Sequence, residues 1–296
     1  MKISRSRSIA LIGAALVLPQ CGAKGEGGAA APVKVGSKNF GENIIVGEIY
    51  AAALEQAGFQ VQRQMNLGST QIAMAAMERG DIDLYPEYTG TGLIDVLHLQ
   101  PIRDAKALYQ RVRMQYQERY GMAWLNPAPA NDSQGLAVSK AVAARGIRTL
   151  SQCAQAAPQL RLAAVPEFVA RADALPGLQK FYGGFKFKVV STYTIGLQYE
   201  ALQRGQADVC TAFTTDAQIK EYGLVLLQDD RHFWPAYNIA PVVRDDTLKA
   251  HPKIAPVLNA LGPRLTTDAV MGMNYDYTVR KQEAADIAHA FVYGTR

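Results

Sequence analysis

Ala75-Ala76-Met77-Glu78-Arg79-Gly80-Asp81-Ile82-Asp83-Leu84-Tyr85-Pro86-Glu87-Tyr88-Thr89 and, 125 residues later, Glu200-Ala201-Leu202-Gln203-Arg204-Gly205-Gln206-Ala207-Asp208-Val209-Cys210-Thr211-Ala212-Phe213-Thr214 follow one pattern. Each reads as a helix end, a tight turn and a buried strand. The helix closes on Arg-Gly, where glycine supplies the left-handed cap; an Asp then leads into an apolar strand that ends on an aromatic residue followed by Thr. Tyr88 therefore corresponds to Phe213, and Thr89 to Thr214. The spacing is too long for a solenoid and predicts two similar α/β lobes in one protein. In open α/β sheets ligands bind beyond the carboxyl ends of the strands, where both aromatics fall, so a cleft with an aromatic from each lobe is expected.

Working outward, Val33–Ser37 reads as a strand, Glu42–Ala57 as a helix stopped by Gly58, Phe59–Met65 as a second strand, and Gln71–Arg79 as a helix capped by the Gly68-Ser69-Thr70 turn. This β-α-β-α-β order predicts a mostly parallel sheet covered by helices. Helices are expected over Asp104–Arg119 and Ser139–Arg145, joined by a Pro- and Asn-rich crossing at Trp124–Asn131. A second set follows: strand Leu160–Val165, helix Phe168–Ala174, strand Phe185–Val190, helix Thr194–Arg204 and strand Ala207–Phe213. The chain then crosses back near Trp234–Ile239, and strand Ala240–Val243 with the C-terminal helices completes the first lobe. Lobe I is thus 33–131 with 238–296, and lobe II is 132–237. Two crossings predict a hinge and closure around a ligand.

The N-terminus carries an address. Lys2, Arg5 and Arg7 precede an apolar run of about ten residues, Ile9–Leu18, which has the length of a signal-peptide core and is too short to span a bilayer. Cys21 and a small-residue tether, 22–32, follow. The arrangement resembles a bacterial lipoprotein signal, 1–21, with Cys21 as the lipid-bearing residue, although Pro19 and Gln20 stand where small residues are usual. The expected location is the periplasm or the outer face of the cytoplasmic membrane, with contact to the membrane only through that anchor. The signal holds three of the 31 basic residues and none of the 26 acidic ones, so the remainder is close to neutral. Nucleic acid, which calls for a concentrated basic patch, is not an expected partner. Cys153 and Cys210 could form a disulfide in that compartment, or remain as buried thiols.

Little suits catalysis or cofactor chemistry. His98, His232, His251 and His289 are scattered without metal-ligand spacing, and Cys210, inside a strand, is the one candidate nucleophile of note. Gly90-Thr91-Gly92 lacks the further glycine and the Lys-Ser/Thr of a phosphate loop and reads as a turn, at best a weak anion site. Asp83 and Glu87 read as turn and cap residues rather than as an acid pair. What converges is a set of cations and aromatics: Lys38 after the first strand, Tyr88 and Thr91 after the third, Arg171 in the matching region of lobe II, and Phe213 and Tyr237 at a strand end and the crossing. That combination suits a zwitterion. A quaternary ammonium has no N–H to donate and is held by the faces of aromatic rings, at about 0.5–2 kcal/mol each; its carboxylate calls for Arg, Lys and hydroxyl donors.

Gly36-Ser37-Lys38-Asn39-Phe40-Gly41-Glu42, Leu67-Gly68-Ser69-Thr70, the segment from Gly80 to Tyr85-Pro86-Glu87-Tyr88-Thr89-Gly90-Thr91-Gly92, Leu175-Pro176-Gly177-Leu178, and Asp229-Asp230 through Pro235-Ala236-Tyr237 to Ala240-Pro241 resemble the osmoprotectant-binding proteins of ABC transporters, which take glycine betaine, carnitine, choline or proline betaine. The likeness runs from Val33 to the end. It implies the two-lobed type II periplasmic-binding-protein fold, an aromatic box for a trimethylammonium group, and delivery to a membrane permease; no cofactor is expected, and the chain is expected to be a monomer. Carried over residue by residue, Tyr88 and Tyr237 are box tyrosines and Phe213 stands in for a third. Gln134, in Asn131-Asp132-Ser133-Gln134, replaces the fourth ring. Lys38, Thr91 and Arg171 match the carboxylate end, and Asp132 adds a contact at the cationic end. The lost ring leaves two expectations, a weaker betaine site or a pocket retuned by Gln134 for a ligand that hydrogen-bonds. Another small zwitterion such as an amino acid, and an enzyme built on the same fold, are the rival readings.

Overall fold

The computed structural model describes residues 31 to 294; the export signal, Cys21 and most of the tether lie outside the described residues. Among the described residues ten strands form two five-stranded sheets. The first contains β1 (Val33–Gly36), β2 (Val61–Gln64), β3 (Leu84–Tyr88), β4 (Met122–Trp124) and, from far along the chain, β10 (Ile239–Arg244). The second contains β5 (Gln134–Val138), β6 (Arg161–Ala164), β7 (Val189–Thr192), β8 (Val209–Phe213) and β9 (Val225–Leu226). Their orders, β2-β1-β3-β10-β4 and β7-β6-β8-β5-β9, correspond strand for strand, with the repeated strands β3 and β8 at the two centres.

The repeat has a physical basis at each position. Helices Thr70–Arg79 and Leu197–Gln203 both run into a glycine with positive φ, Gly80 (73°) and Gly205 (66°), a region that L side chains disfavour. Beyond it, the amides of Asp81 and Ile82 return to the Ala76 carbonyl, and those of Gln206 and Ala207 to the equivalent Ala201 carbonyl. The Asp before each central strand then ties down the neighbouring strand. Asp83 accepts from the Lys34 amide of β1 (2.8 Å), and Asp208 from the Arg161 amide of β6 (2.9 Å).

The sheets are mixed, not mostly parallel. β1 pairs parallel with β2 and β3, and β6 with β7 and β8, as the βαβ order requires. However, β10 and β5 lie antiparallel beside β3 and β8, because each enters its sheet from a crossing segment rather than through a covering helix. The helix expected at Phe168–Ala174 starts earlier, with Pro166 in its first turn, and ends at Ala170; Arg171 is already extended (φ −73°, ψ 143°). Alternate side chains of the sheets pack against opposite layers. Val33, Val35 and Leu84 face helix Gly41–Gln56 and the C-terminal helices, while Tyr85, Ala240 and Val242 face helices Thr70–Arg79 and Ala105–Tyr120. Cys153 and Cys210 are free buried thiols, so no disulfide joins them.

The two crossings run side by side as a short ribbon. Asn131 and Asn238 form a bridge, and the Asp132 amide donates to the Tyr237 carbonyl (3.1 Å). The repeated threonines fasten this ribbon to the two lobes. Thr89 Oγ1 donates to the Ala236 carbonyl and accepts from the Asn238 amide, while Thr214 Oγ1 donates to the Asn131 carbonyl and accepts from the Ser133 amide. Each lobe therefore grips one crossing through the same residue of the repeat, directly beside its strand-end aromatic.

Candidate ligand-binding site

Beyond the carboxyl ends of β3 and β8 lies a cavity of about 580 Å³, lined from both sheets and from the crossings. All eight residues singled out from the sequence line it: Lys38, Tyr88, Thr91, Asp132, Gln134, Arg171, Phe213 and Tyr237. Antiparallel register places Tyr88, Phe213 and Gln134. Tyr88 sits opposite Ile239 of β10, and Phe213 opposite Gln134 of β5, so the residue where a ring was expected flanks the lobe II aromatic directly.

Tyr88 and Tyr237 are both 3% exposed and are fixed through their hydroxyls. Tyr88 Oη donates to Glu42 Oε1 (2.9 Å), and Tyr237 Oη to Asp173 Oδ2 (2.7 Å). The same Asp173 oxygen accepts from Gln134 Nε2 (2.9 Å), so the glutamine is committed to a buried carboxylate that also orients a tyrosine. Burial pushes the Asp173 carboxyl up, but the guanidinium of Arg171 and the Tyr237 hydroxyl outweigh it and hold this group below its ordinary range.

The segment expected as a turn is helical, Thr89–Thr91 running into a π-helical stretch at Gly92–Val96, and Gly90 and Gly92 have a steric role in it. A Cβ on Gly90 would lie 2.6 Å from the Tyr237 ring, and one on Gly92 2.6 Å from the Trp124 ring. Gly90→Ala is therefore expected to push Tyr237 out of register with Asp173. Ligand affinity should fall at least tenfold with a destabilisation of about 1–3 kcal/mol, the cost of overpacking, as read by calorimetric titration beside a thermal melt.

The cations expected at the far end of the ligand already have partners. Lys38 Nζ is 2.6 Å from Glu87 Oε1, with Lys38 4% and Glu87 0% exposed. The same ammonium lies 4.7 Å from the centroid of the Tyr88 ring and 5.5 Å from that of Phe40. Arg171 grips Asp173 through Nε (2.8 Å) and Nη2 (2.6 Å), and reaches across to Asp95 Oδ2 through Nη1 (2.6 Å). Glu87 is thus the counter-ion of Lys38, while Asp83 is bound to the Lys34 amide, and the two do not form an acid pair.

Three carboxyls stand at the aromatic end, Asp132 among the expected site residues and Glu42 and Asp216 not. Glu42 also accepts from Asn274 Nδ2 (2.7 Å), Asp132 from Thr215 Oγ1 (2.7 Å), and Asp216 from the Phe213 amide (2.8 Å) and the Tyr199 hydroxyl. Burial raises all three. Glu42 is pushed up by desolvation against its hydrogen bonds, Asp132 well up by desolvation and the charges of Glu42 and Asp216, and Asp216 to about 6 by desolvation. Such a cluster is costly by itself and favourable to a bound cation. Glu42 ends the Gly36–Glu42 motif and so carries a local signal; Asp95, Asp173 and Asp216 carry none, because their roles depend on partners brought in by the fold.

Among the described residues no group of three His, Cys, Asp or Glu side chains is placed to hold a metal ion. Burial pushes the Cys210 thiol up, away from nucleophilic character. Among the same residues no helix is long and apolar enough to cross a membrane.

Comparison with known proteins agrees with this architecture. Residues 31–293 match the family model described as the substrate binding domain of ABC-type glycine betaine transport system. The chain is 32% identical to the glycine-betaine-binding protein of Pseudomonas aeruginosa, over 88% of this chain and 86% of that one. It is 31% identical to the Helicobacter pylori ergothioneine transport permease/ergothioneine binding protein EgtU, over 88% of this chain and 47% of that longer protein. A crystal structure of a glycine betaine/carnitine/choline ABC transporter component superposes with a TM-score of 0.79 at 27% identity, covering 88% of this chain and 97% of the other. With matched strand orders, a paired crossing and a cavity beyond the central strands, the fold is the two-lobed type II binding-protein fold, and the chain belongs to the family of substrate-binding domains of ABC-type glycine betaine transport systems.

Proposed function

We propose that this protein is the extracytoplasmic solute-binding component of an ABC importer. It captures a small quaternary-ammonium solute, glycine betaine or a related betaine or choline, by closing two lobes, 33–131 with 238–296 and 132–237, and delivers it to a membrane permease without altering it. The observation that carries this reading is the meeting of Tyr88, Phe213 and Tyr237 in one cavity beside Glu42, Asp132 and Asp216. Ring faces attract an ammonium that has no N–H to donate, and buried carboxylates add long-range attraction. Tyr88, Phe213 and Tyr237 form the cage, Gln134 takes the place of a fourth ring, Asp132 faces the cationic end, and Lys38, Thr91 and Arg171 stand toward the other. Family membership and the sequence of the N-terminus support export, with Cys21 as a lipid anchor.

Phe213→Ala is the cleanest test of the cage, since this ring has no hydroxyl tied into the structure. The parent protein, unfolded and refolded to strip carried-over ligand, is expected to gain about 2.7 kcal/mol of stability from a cognate ligand at 100 times its dissociation constant. The variant should keep the parent's unliganded melting temperature and bind roughly 2- to 30-fold more weakly, the worth of one ring. A betaine and choline panel that stabilises neither protein, or a variant that binds as the parent does, contradicts the reading.

A further inference from the structure

Among the described residues the cavity is lined by two cationic side chains, Lys38 and Arg171, and by five acidic ones, Glu42, Asp95, Asp132, Glu167 and Asp216. Both cations are spoken for. Lys38 is neutralised by Glu87, whose carboxylate lies behind it in the sheet, and it also meets the Thr70 hydroxyl (3.4 Å) and two aromatic rings. Arg171 has two carboxylates of its own. Asp173, on the same lobe, takes Nε and Nη2; Asp95, from the π-helical turn Gly92–Val96 that follows β3, takes Nη1 from the opposite side of the cleft.

The Arg171–Asp95 pair has a particular consequence. Arg171 stands after β6 and Asp95 after β3, so this contact joins the two halves across the cavity with a carboxylate supplied by the protein. The carboxylate of a zwitterionic ligand would call for a cation not already neutralised. Here a third carboxylate brought to the same guanidinium would be repelled by the two already present, while a ligand bearing positive charge alone meets a lining in which acidic side chains outnumber cationic ones. Specificity would then come from an element that repels the wrong ligand as well as from the cage that attracts the right one.

Building on the quaternary-ammonium reading, we propose that the cleft selects a cation that carries no carboxylate, of the choline type, over a zwitterionic betaine, with Asp95 acting as the built-in substitute for the ligand's carboxylate. Calorimetric titration of the refolded protein should show choline bound at least tenfold more tightly than glycine betaine. Asp95→Asn, which keeps an acceptor oxygen for Arg171 but removes the charge, should shrink that ratio at least tenfold, mainly by tightening glycine betaine. The methyl ester of glycine betaine serves as a second probe on the unaltered protein, in case the variant fails to fold; with its carboxylate masked, it should bind at least tenfold better than glycine betaine itself. Glycine betaine binding as tightly as choline or its ester, or an Asp95→Asn ratio equal to the parent's, overturns the selection while leaving the quaternary-ammonium reading intact. If none of the three compounds binds, that reading falls and the selection falls with it.

Discussion

Lys38→Met is expected to destabilise the protein by about 3–5 kcal/mol, the usual result of removing one partner from a buried ion pair. For a chain of this size that corresponds to a fall in melting temperature on the order of 10 °C. Glu87 is fully buried and accepts from Lys38 Nζ (2.6 Å), Tyr85 Oη (3.0 Å) and the Tyr88 amide (2.7 Å). Without the ammonium two hydrogen bonds remain, but the charge has no counter-ion, and the carboxylate must either ionise unpaired or take up a proton. Adding Glu87→Gln to Lys38→Met should restore most of the loss, because an amide keeps the acceptor and needs no counter-charge. Thermal melts of the parent, the two single variants and the double variant measure the coupling. A single Lys38→Met variant within about 2 °C of the parent would show that the pair does not hold the end of β3, and with it Tyr88, in place.

The second large effect is on pH dependence. Burial holds the Asp216 carboxyl at about 6, against an ordinary value of 3.8. A group whose folded-state pKa is raised favours the folded state when protonated. Its contribution is complete below about 3.8 and is lost as pH rises through about 6, a swing of at most about 3 kcal/mol, reduced by water in the cavity it faces. Glu42 and Asp132, which line the same cavity as Asp216, are raised too and act in the same direction. Carboxylates held low by partners, such as Asp173 and Asp208, work the other way, but only below their ordinary range. The unliganded protein should therefore melt higher at pH 5 than at pH 7.5, and Asp216→Asn should flatten that slope. A cationic ligand keeps the cluster ionised, so its affinity should fall about tenfold between pH 7.5 and pH 5. A melting temperature that drops steadily from pH 7.5 to pH 5 would remove the carboxylate cluster from the account.

Much of the architecture was legible because the repeat is written in residues whose roles are local. Gly80 and Gly205 need only their own φ, Asp83 and Asp208 reach one neighbouring strand, and Tyr88 and Phe213 follow from where the strands stop. The strands that escaped notice, β4, β5 and β9, are two to five residues long and pair with segments distant in sequence, so neither length nor alternation marks them. Missing β5 hid the antiparallel half of the second sheet and the register that sets Gln134 beside Phe213.

The site was legible as a set of positions but not as a circuit. All eight expected side chains line the cavity, yet a charge seen alone in the sequence does not show its partner. The pairing of Lys38 with Glu87 spans 49 residues and that of Arg171 with Asp95 spans 76. Those partners change what the cations can offer a ligand. Gly90 shows the same limit on a smaller scale, since a glycine in a turn-like motif gives no hint that an aromatic ring 147 positions later will lie against it.

The most direct test of the cage is a crystal structure of the refolded protein with a bound quaternary-ammonium ligand. The ammonium nitrogen should lie within about 6 Å of the ring centroids of Tyr88, Phe213 and Tyr237, with Arg171 still bound to Asp95. An ammonium lodged elsewhere in the cleft, away from those three rings, would contradict it.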